Sequence, residues 1–239
     1  MRLISKIDIK EDYVIKSIMY DGVKKIGHPR AILNKLYNDN VDEFFITNFV
    51  KTLYHNENEK NILSYLDKNY FLPIIYGGGL NDLNQIEKLF MNGIDKISLN
   101  SYIFDDIKFL HKCSKMYGSQ SVSVLVQAKK INGKWFAFKN MARNNTQISI
   151  FEWSQKCQYE GAGEIILINV DRDGTNKGFD ESILEQMEKI KVPLVVSGGI
   201  ASLSDVEKIR NFGFIDGISV NSSIYSNKLT IESIKKNLI

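Results

Sequence analysis

Short apolar runs alternate with amphipathic stretches along the whole chain. The runs Leu3–Ile9, Glu43–Phe49, Leu72–Tyr76, Lys96–Leu99, Val122–Gln127, Glu164–Val170, Pro193–Ser197 and Gly217–Val220 predict strands. The stretches between them, such as Asp82–Met91 and Leu203–Phe212, place apolar residues at helical spacing. Strands separated by helices imply βαβ units and a parallel sheet. Eight such units in 239 residues predict one closed (β/α)8 TIM barrel.

The chain also repeats itself. PIIYGGGLNDLNQIEKLFMNGIDKISLNSYIF, from Pro73 to Phe104, matches PLVVSGGIASLSDVEKIRNFGFIDGISVNSSIY, from Pro193 to Tyr225. Gly78 and Gly79 align with Gly198 and Gly199, and Gly93 aligns with Gly213. After a one-residue insertion, Asp95, Ile97, Ser98, Asn100 and Ser101 align with Asp216, Ile218, Ser219, Asn221 and Ser222. DEFFITNF aligns less sharply with GEIILINV and pairs Asn48 with Asn169. The period of about 120 residues is too long for a solenoid. It predicts a single barrel of two half-barrels, approximately 1–120 and 121–239.

In such a barrel the loops after the strands form the catalytic face. Both repeats place a Gly pair after one strand and Asn-Ser after the next. Glycine lets the backbone approach an anion, and a following helix N-terminus supplies N–H groups. Each half therefore carries a candidate phosphate cradle: Gly78, Gly79, Asn100 and Ser101 in the first, Gly198, Gly199, Asn221 and Ser222 in the second. The bland alternative is that these glycines only make tight turns. Two cradles suit a substrate with a phosphate at each end.

The sixth strand runs into NVDRDGTNKGFD. There Asp173 is a candidate acid or base, and Gly174 and Thr175 are candidate phosphate contacts, against a plain solvated turn. The first strand ends near Asp8, an inward carboxylate that is costly unless used or paired. Its half-barrel counterpart is Gln127, which cannot exchange protons. The long first connection, roughly Lys10 to His28, carries Lys16, placed to reach over the site. Asn132-Gly133 signals a hairpin after the fifth strand. Trp135 on it either stacks on a substrate ring or merely packs.

Composition narrows the classes. Apolar residues make up 44% of the chain, which fills a sizeable core and excludes a disordered protein. A net charge of +3, without a clustered basic face, argues against a nucleic-acid partner. No apolar run approaches the ~18 residues of a membrane span, and the N-terminus lacks a signal-peptide core, which points to the cytoplasm. His28, His55 and His111 are scattered, so no metal is expected, and no cofactor motif is present. Cys113 and Cys157 fall in helical patterns and read as reduced, buried thiols.

The stretch GAGEIILINVDRDGTNKG, with KIDIKEDYVIK, YGGGLNDLNQIEKLFMNGIDKISLNS, YGSQSV and VVSGGIAS, resembles the cyclase subunit of imidazole glycerol phosphate synthase along nearly the full length. The resemblance implies a barrel that adds ammonia to a phosphoribulosyl-formimino aminoimidazole carboxamide ribonucleotide. The products would be imidazole glycerol phosphate and an aminoimidazole carboxamide ribonucleotide, a step of histidine biosynthesis. It also implies a glutaminase partner on the opposite end of the barrel. Arg2, Glu43, Lys96 and Glu164 match a charged ring that gates the ammonia channel; a structural salt-bridged plug is the alternative. Asp8 matches the first family catalytic aspartate. The second is Gln127 here, and a further family aspartate is Asn48.

Three functions fit these residues. One is a cyclase subunit that tolerates Gln127. Another is a diverged paralogue that serves amidination of a surface-polysaccharide sugar, acetamido to acetamidino. The third is a non-catalytic activator of a glutaminase.

Overall fold

The computed structural model describes residues 1–49, 51, 59–67 and 69–238, so His55 lies outside the described residues. Its strands are β1 (Arg2–Lys10), β2 (Tyr13–Ile18), β3 (Asp21–Gly27), β4 (Glu43–Asn48), β5 (Ile74–Gly77), β6 (Lys96–Leu99), β7 (Val122–Ile131), β8 (Lys134–Lys139), β9 (Asn144–Ser149), β10 (Glu164–Asn169), β11 (Leu194–Ser197) and β12 (Gly217–Val220). Eight of them, β1, β4, β5, β6, β7, β10, β11 and β12, pair in parallel in that order, and β12 returns to β1. The sheet therefore closes into a (β/α)8 barrel. Strand ends differ from the sequence expectation by one or two residues, except that β7 runs to Ile131, four residues beyond the expected Gln127.

Alternation along the strands separates two cores. Leu3, Ile7 and Ile9 of β1 join the larger apolar cluster that packs against the helices. Ile4 of the same strand joins a smaller cluster with Phe45, Ile75, Ile166 and Val195. Side chains two residues apart share a face, so this second cluster fills the lumen. On β1 the lumen side thus reads Arg2, Ile4, Lys6, Asp8. Truncating a fully buried aromatic such as Phe45 costs about 3–5 kcal/mol.

The two-fold repeat is written into the backbone. Asp95 and Asp216 occupy equivalent turns and accept the N–H of Ile74 at 2.8 Å and of Leu194 at 2.9 Å. Gly78 and Gly198 have φ of +104° and +87°, and a Cβ there would lie 2.3 Å from Asn48 O and 2.2 Å from Asn169 O. Glycine is required twice for the same reason: the loop after one strand crosses the end of the preceding strand. Helices start where sequence signals place them. Asp82 caps Leu83–Met91, and Ser202 and Asp205 form a capping box for Leu203–Arg210.

Two connections differ from expectation. The first is a hairpin rather than an open loop: β2 pairs antiparallel with β1 and β3 with β2. Met19 and Tyr20 take φ of +52° and +65°, the left-handed pair of a tight hairpin turn. The link from β10 to β11 holds no α-helix, only 3-10 turns at Glu181–Leu184 and Met187–Lys189. Gln186, at φ +66°, interrupts what would otherwise be a helical run. The hairpin at Asn132-Gly133 forms as expected, with φ of +49° and +80°.

Candidate active site

The N-terminal mouth of the barrel carries a closed ring of alternating charge. Arg2 sits at the start of β1, Glu43 at the start of β4, Lys96 at the start of β6 and Glu164 at the start of β10. Arg2 bonds Glu43 at 2.8 Å and Glu164; Lys96 bonds Glu43 at 2.8 Å and reaches Glu164 at 3.7 Å. Both glutamates are buried, and burial raises the Glu43 carboxyl despite the Lys96 hydrogen bond that opposes it. The lumen cluster of Ile4, Phe45, Ile75, Ile166 and Val195 is the next layer inward.

At the opposite mouth, a cavity of about 980 Å³ is lined by Asp8, Asn48, Gly78, Gly79, Asn100, Ser101 and Gln127. The first cradle thus opens into a chamber shared with both strand-end positions that the repeat pairs. The polar groups of Asn100 and Ser101 are already engaged. Asn100 donates to Leu125 O at 2.7 Å, and Ser101 Oγ donates to Asn100 and accepts from the Asn140 N–H at 2.9 Å. Ser98 Oγ, on the same wall, is buried without a partner among the described residues. Gln127 is buried and pinned, its Oε1 accepting the Ala142 N–H at 2.8 Å.

The second cradle is narrower. Asp173, Gly174, Gly198, Gly199, Asn221 and Ser222 line a cleft of about 20 Å³, room for about one water. The β2–β3 hairpin narrows it. Met19 N–H donates to Asp173 O at 2.9 Å, and a Cβ on Gly174 would lie 2.1 Å from Ser17 O. Gly174 is therefore glycine because the hairpin rests on it. Thr175 does not line the cleft; its Oγ1 donates to Arg172 O at 2.9 Å and shapes the turn. Ser219 Oγ, the repeat partner of Ser98, is likewise buried and unpartnered among the described residues, as are Asn169 Nδ2 and Ser223 Oγ.

Between the cradles lies a charged cluster. Asp8 is held by Lys6, Thr47 and Asn221. Asn221 thereby spends its amide on Asp8. Burial opposes the Lys6 charge, but Asp8, Tyr20 and Asp173 around it together outweigh burial and raise the ammonium well above its ordinary value. Burial lifts the Asp173 carboxyl to about 6, with Lys6 and Lys16 pulling it down and Asp8 pushing it up. Lys16 on β2 therefore acts on the site through Asp173. Tyr20, at the hairpin turn, is buried against Phe49 with ring centroids 5.6 Å apart, and burial raises its phenol.

Sequence reasoning missed Lys6, Thr47 and Tyr20. Lys6 had a signal: it shares the even-numbered face of β1 with Arg2 and Asp8. Trp135 is placed away from both cavities; its Nε1 donates to Ser182 Oγ at 3.2 Å and its ring packs on the outer core. Cys113 and Cys157 are buried free thiols. Among the described residues no group of three or more His, Cys, Asp and Glu side chains is placed to hold a metal ion, and no helix is long and apolar enough to cross a membrane.

The family profile described as histidine biosynthesis protein matches residues 2–230. The chain belongs to that family. It is 30% identical over 207 residues to the imidazole glycerol phosphate synthase subunit HisF of Legionella pneumophila, covering 86% of this chain and 98% of the relative. The HisF of Lactococcus lactis subsp. cremoris (strain MG1363) is 30% identical over 242 residues, 100% of this chain and 93% of the relative. That of Natranaerobius thermophilus is 26% identical over 238 residues, 99% and 95%. These matches extend over the stretches that carry the ring, the cradles and the charged cluster.

Proposed function

We propose that this chain is the ammonia-using synthase subunit of a two-protein glutamine amidotransferase working in the cytoplasm. The observation that carries the reading is the ring of Arg2, Glu43, Lys96 and Glu164. Four charges in alternation around the barrel axis stop a hydrated ion, while rotation of one long cationic side chain opens a path for neutral ammonia. A plug needed only for stability has no reason to be charged, since buried ion pairs stabilise no better than apolar packing. The same face carries Phe71, Met91, Met116 and Tyr159, which are 86%, 80%, 60% and 87% exposed. They fall at or just before the connections into β5, β6, β7 and β10, four neighbouring strands, and exposed apolar side chains there fit a docking glutaminase. No cofactor is needed for ammonia addition.

At the other mouth, the two cradles suit an acceptor with two phosphates, such as phosphoribulosyl-formimino aminoimidazole carboxamide ribonucleotide. Ammonia and that acceptor balance to imidazole glycerol phosphate, the aminoimidazole carboxamide ribonucleotide and one water, released as the imidazole ring closes. A second reading is favoured by Gln127, which cannot exchange protons and is tied to Ala142: the ammonia acceptor is an acetamido sugar that becomes its acetamidino form. The two are separated by turnover of the phosphoribulosyl-formimino substrate with saturating ammonium, beside a Gln127→Asp variant. Turnover by the natural chain supports the histidine acceptor. Binding without turnover, with partial gain in Gln127→Asp, supports the sugar. Absence of binding sinks both cradle assignments and leaves a non-catalytic glutaminase activator.

A further inference from the structure

Between β8 and β9, Asn140, Met141 and Ala142 take φ of +55°, +58° and +57°. Left-handed backbone is normally confined to single residues, and residues other than glycine hold it only where surrounding contacts impose it. Two side chains of the barrel impose it here. Ser101 Oγ accepts the Asn140 N–H at 2.9 Å, and Gln127 Oε1 accepts the Ala142 N–H at 2.8 Å. Asn140 and Met141 thereby line the chamber.

The second contact also fixes which way Gln127 faces. A backbone N–H can bond only the oxygen of a side-chain amide, so the nitrogen takes the other side. Nε2 makes no hydrogen bond among the described residues, nor is it one of the buried atoms sealed from solvent. Its N–H groups therefore open into the chamber that Gln127 lines. Other amides at this mouth are spent: Asn100 donates to Leu125 O, Asn140 to Asn144 and Asn221 to Asp8. The setting of Gln127 is apolar. Phe138 and Ile168 are its partners on the neighbouring strands, Leu125 shares its face of β7, and Met141 lies on the turn. A neutral donor between apolar walls selects an uncharged group that offers an oxygen, and disfavours a cation.

We propose that Gln127 is a specificity-determining residue whose Nε2 donates to the carbonyl oxygen of an uncharged amide on the ligand, held in that pose by the left-handed turn. The inference rests on the synthase reading and names the group that the chamber recognises. Both acceptors considered above are consistent with it, through the carboxamide of the ribonucleotide or the acetamido group of the sugar.

The test is calorimetric binding to the full chain without ammonia or glutaminase, so its failure leaves the synthase reading to the turnover assay. The probes are the aminoimidazole carboxamide ribonucleotide, N-acetylglucosamine 1-phosphate and glucosamine 1-phosphate. The two sugars share ring and phosphate, and one offers an amide oxygen where the other offers a cation. Wild-type chain should bind an amide probe, and which one binds identifies the source of the amide. Gln127→Glu keeps the oxygen that the Ala142 N–H needs and replaces the donor by an acceptor. It should weaken that amide about tenfold, the effect of one unpaired buried polar group, and bind glucosamine 1-phosphate more tightly than wild type does. Gln127→Met, with neither donor nor charge, should weaken the amide and leave the amino sugar unchanged. No binding of either amide probe to the wild type, or an amide affinity unchanged in either variant, would overturn the proposal.

Discussion

Replacing Lys6 by Met should be among the most damaging single changes in the protein. The side chain is 1% exposed and its partner Asp8 equally so. The substitution keeps length and apolar volume, so little packing is lost. What remains is a buried carboxylate held only by Thr47 and Asn221. Breaking a buried pair by removing one partner costs about 3–5 kcal/mol. That is a large share of the about 5–15 kcal/mol that stabilises a typical domain. With a urea slope of about 2–3 kcal/mol per M, the midpoint should fall by about 1–2 M. The companion variant, Lys6→Met with Asp8→Leu, removes both charges and should recover most of the loss, because an apolar replacement of a buried pair is near neutral or stabilising. Urea unfolding followed by circular dichroism measures both. A loss below about 1 kcal/mol in the single variant, the size for an exposed pair, refutes the burial argument. So does a double variant no more stable than the single one.

Asp173→Asn should change how stability depends on pH. Burial raises the native carboxyl from 3.8 to about 6, so the protonated form is favoured in the fold. Stability is then greatest below the unfolded value and falls as pH climbs through the interval to about 6, by about 3 kcal/mol. The Asn variant lacks that slope, and equal slopes in unfolding curves taken across the interval would contradict the assignment. Gly78→Ala and Gly198→Ala should each be worse than Gly93→Ala. All three force a Cβ onto positive φ, at about 1–2 kcal/mol, but only the first two drive it to 2.3 and 2.2 Å from a carbonyl oxygen, whereas Gly93 has nothing within 4 Å. Comparable thermal midpoints for the three variants would show that the crossing loops yield freely.

The barrel was legible because its strands are short apolar runs at regular intervals and because the halves repeat residue for residue around Gly78 and Gly198. The ring was legible from the family resemblance and from charges at strand starts. Less visible were features that depend on contacts distant in sequence. A hairpin was hidden in Lys10–His28, since Met19 and Tyr20 are poor advertisements for a left-handed turn. The missing helix before β11 turns on the backbone of one residue, Gln186. Gly174 and Thr175 looked like phosphate ligands, but the first yields to Ser17 and the second to Arg172. Inequality of the two cradles follows from where the hairpin rests, which no repeat pattern records. Lys6 shows the opposite case: the alternation Arg2, Ile4, Lys6, Asp8 pointed it into the lumen, but only its partner's full set of hydrogen bonds gives that position meaning.

A glutaminase docked on the charged-ring face is what the proposed function most needs. The most direct test mixes the purified chain with a HisH-type glutaminase and follows glutamine hydrolysis. Wild-type chain should raise the rate by about 5–150-fold, the usual range of coupling between sites. Phe71→Asp, altered on the exposed rim of that face, should abolish the rise while leaving the barrel's unfolding curve unchanged. No activation at any chain concentration, or activation equal in the wild type and Phe71→Asp, would contradict the account.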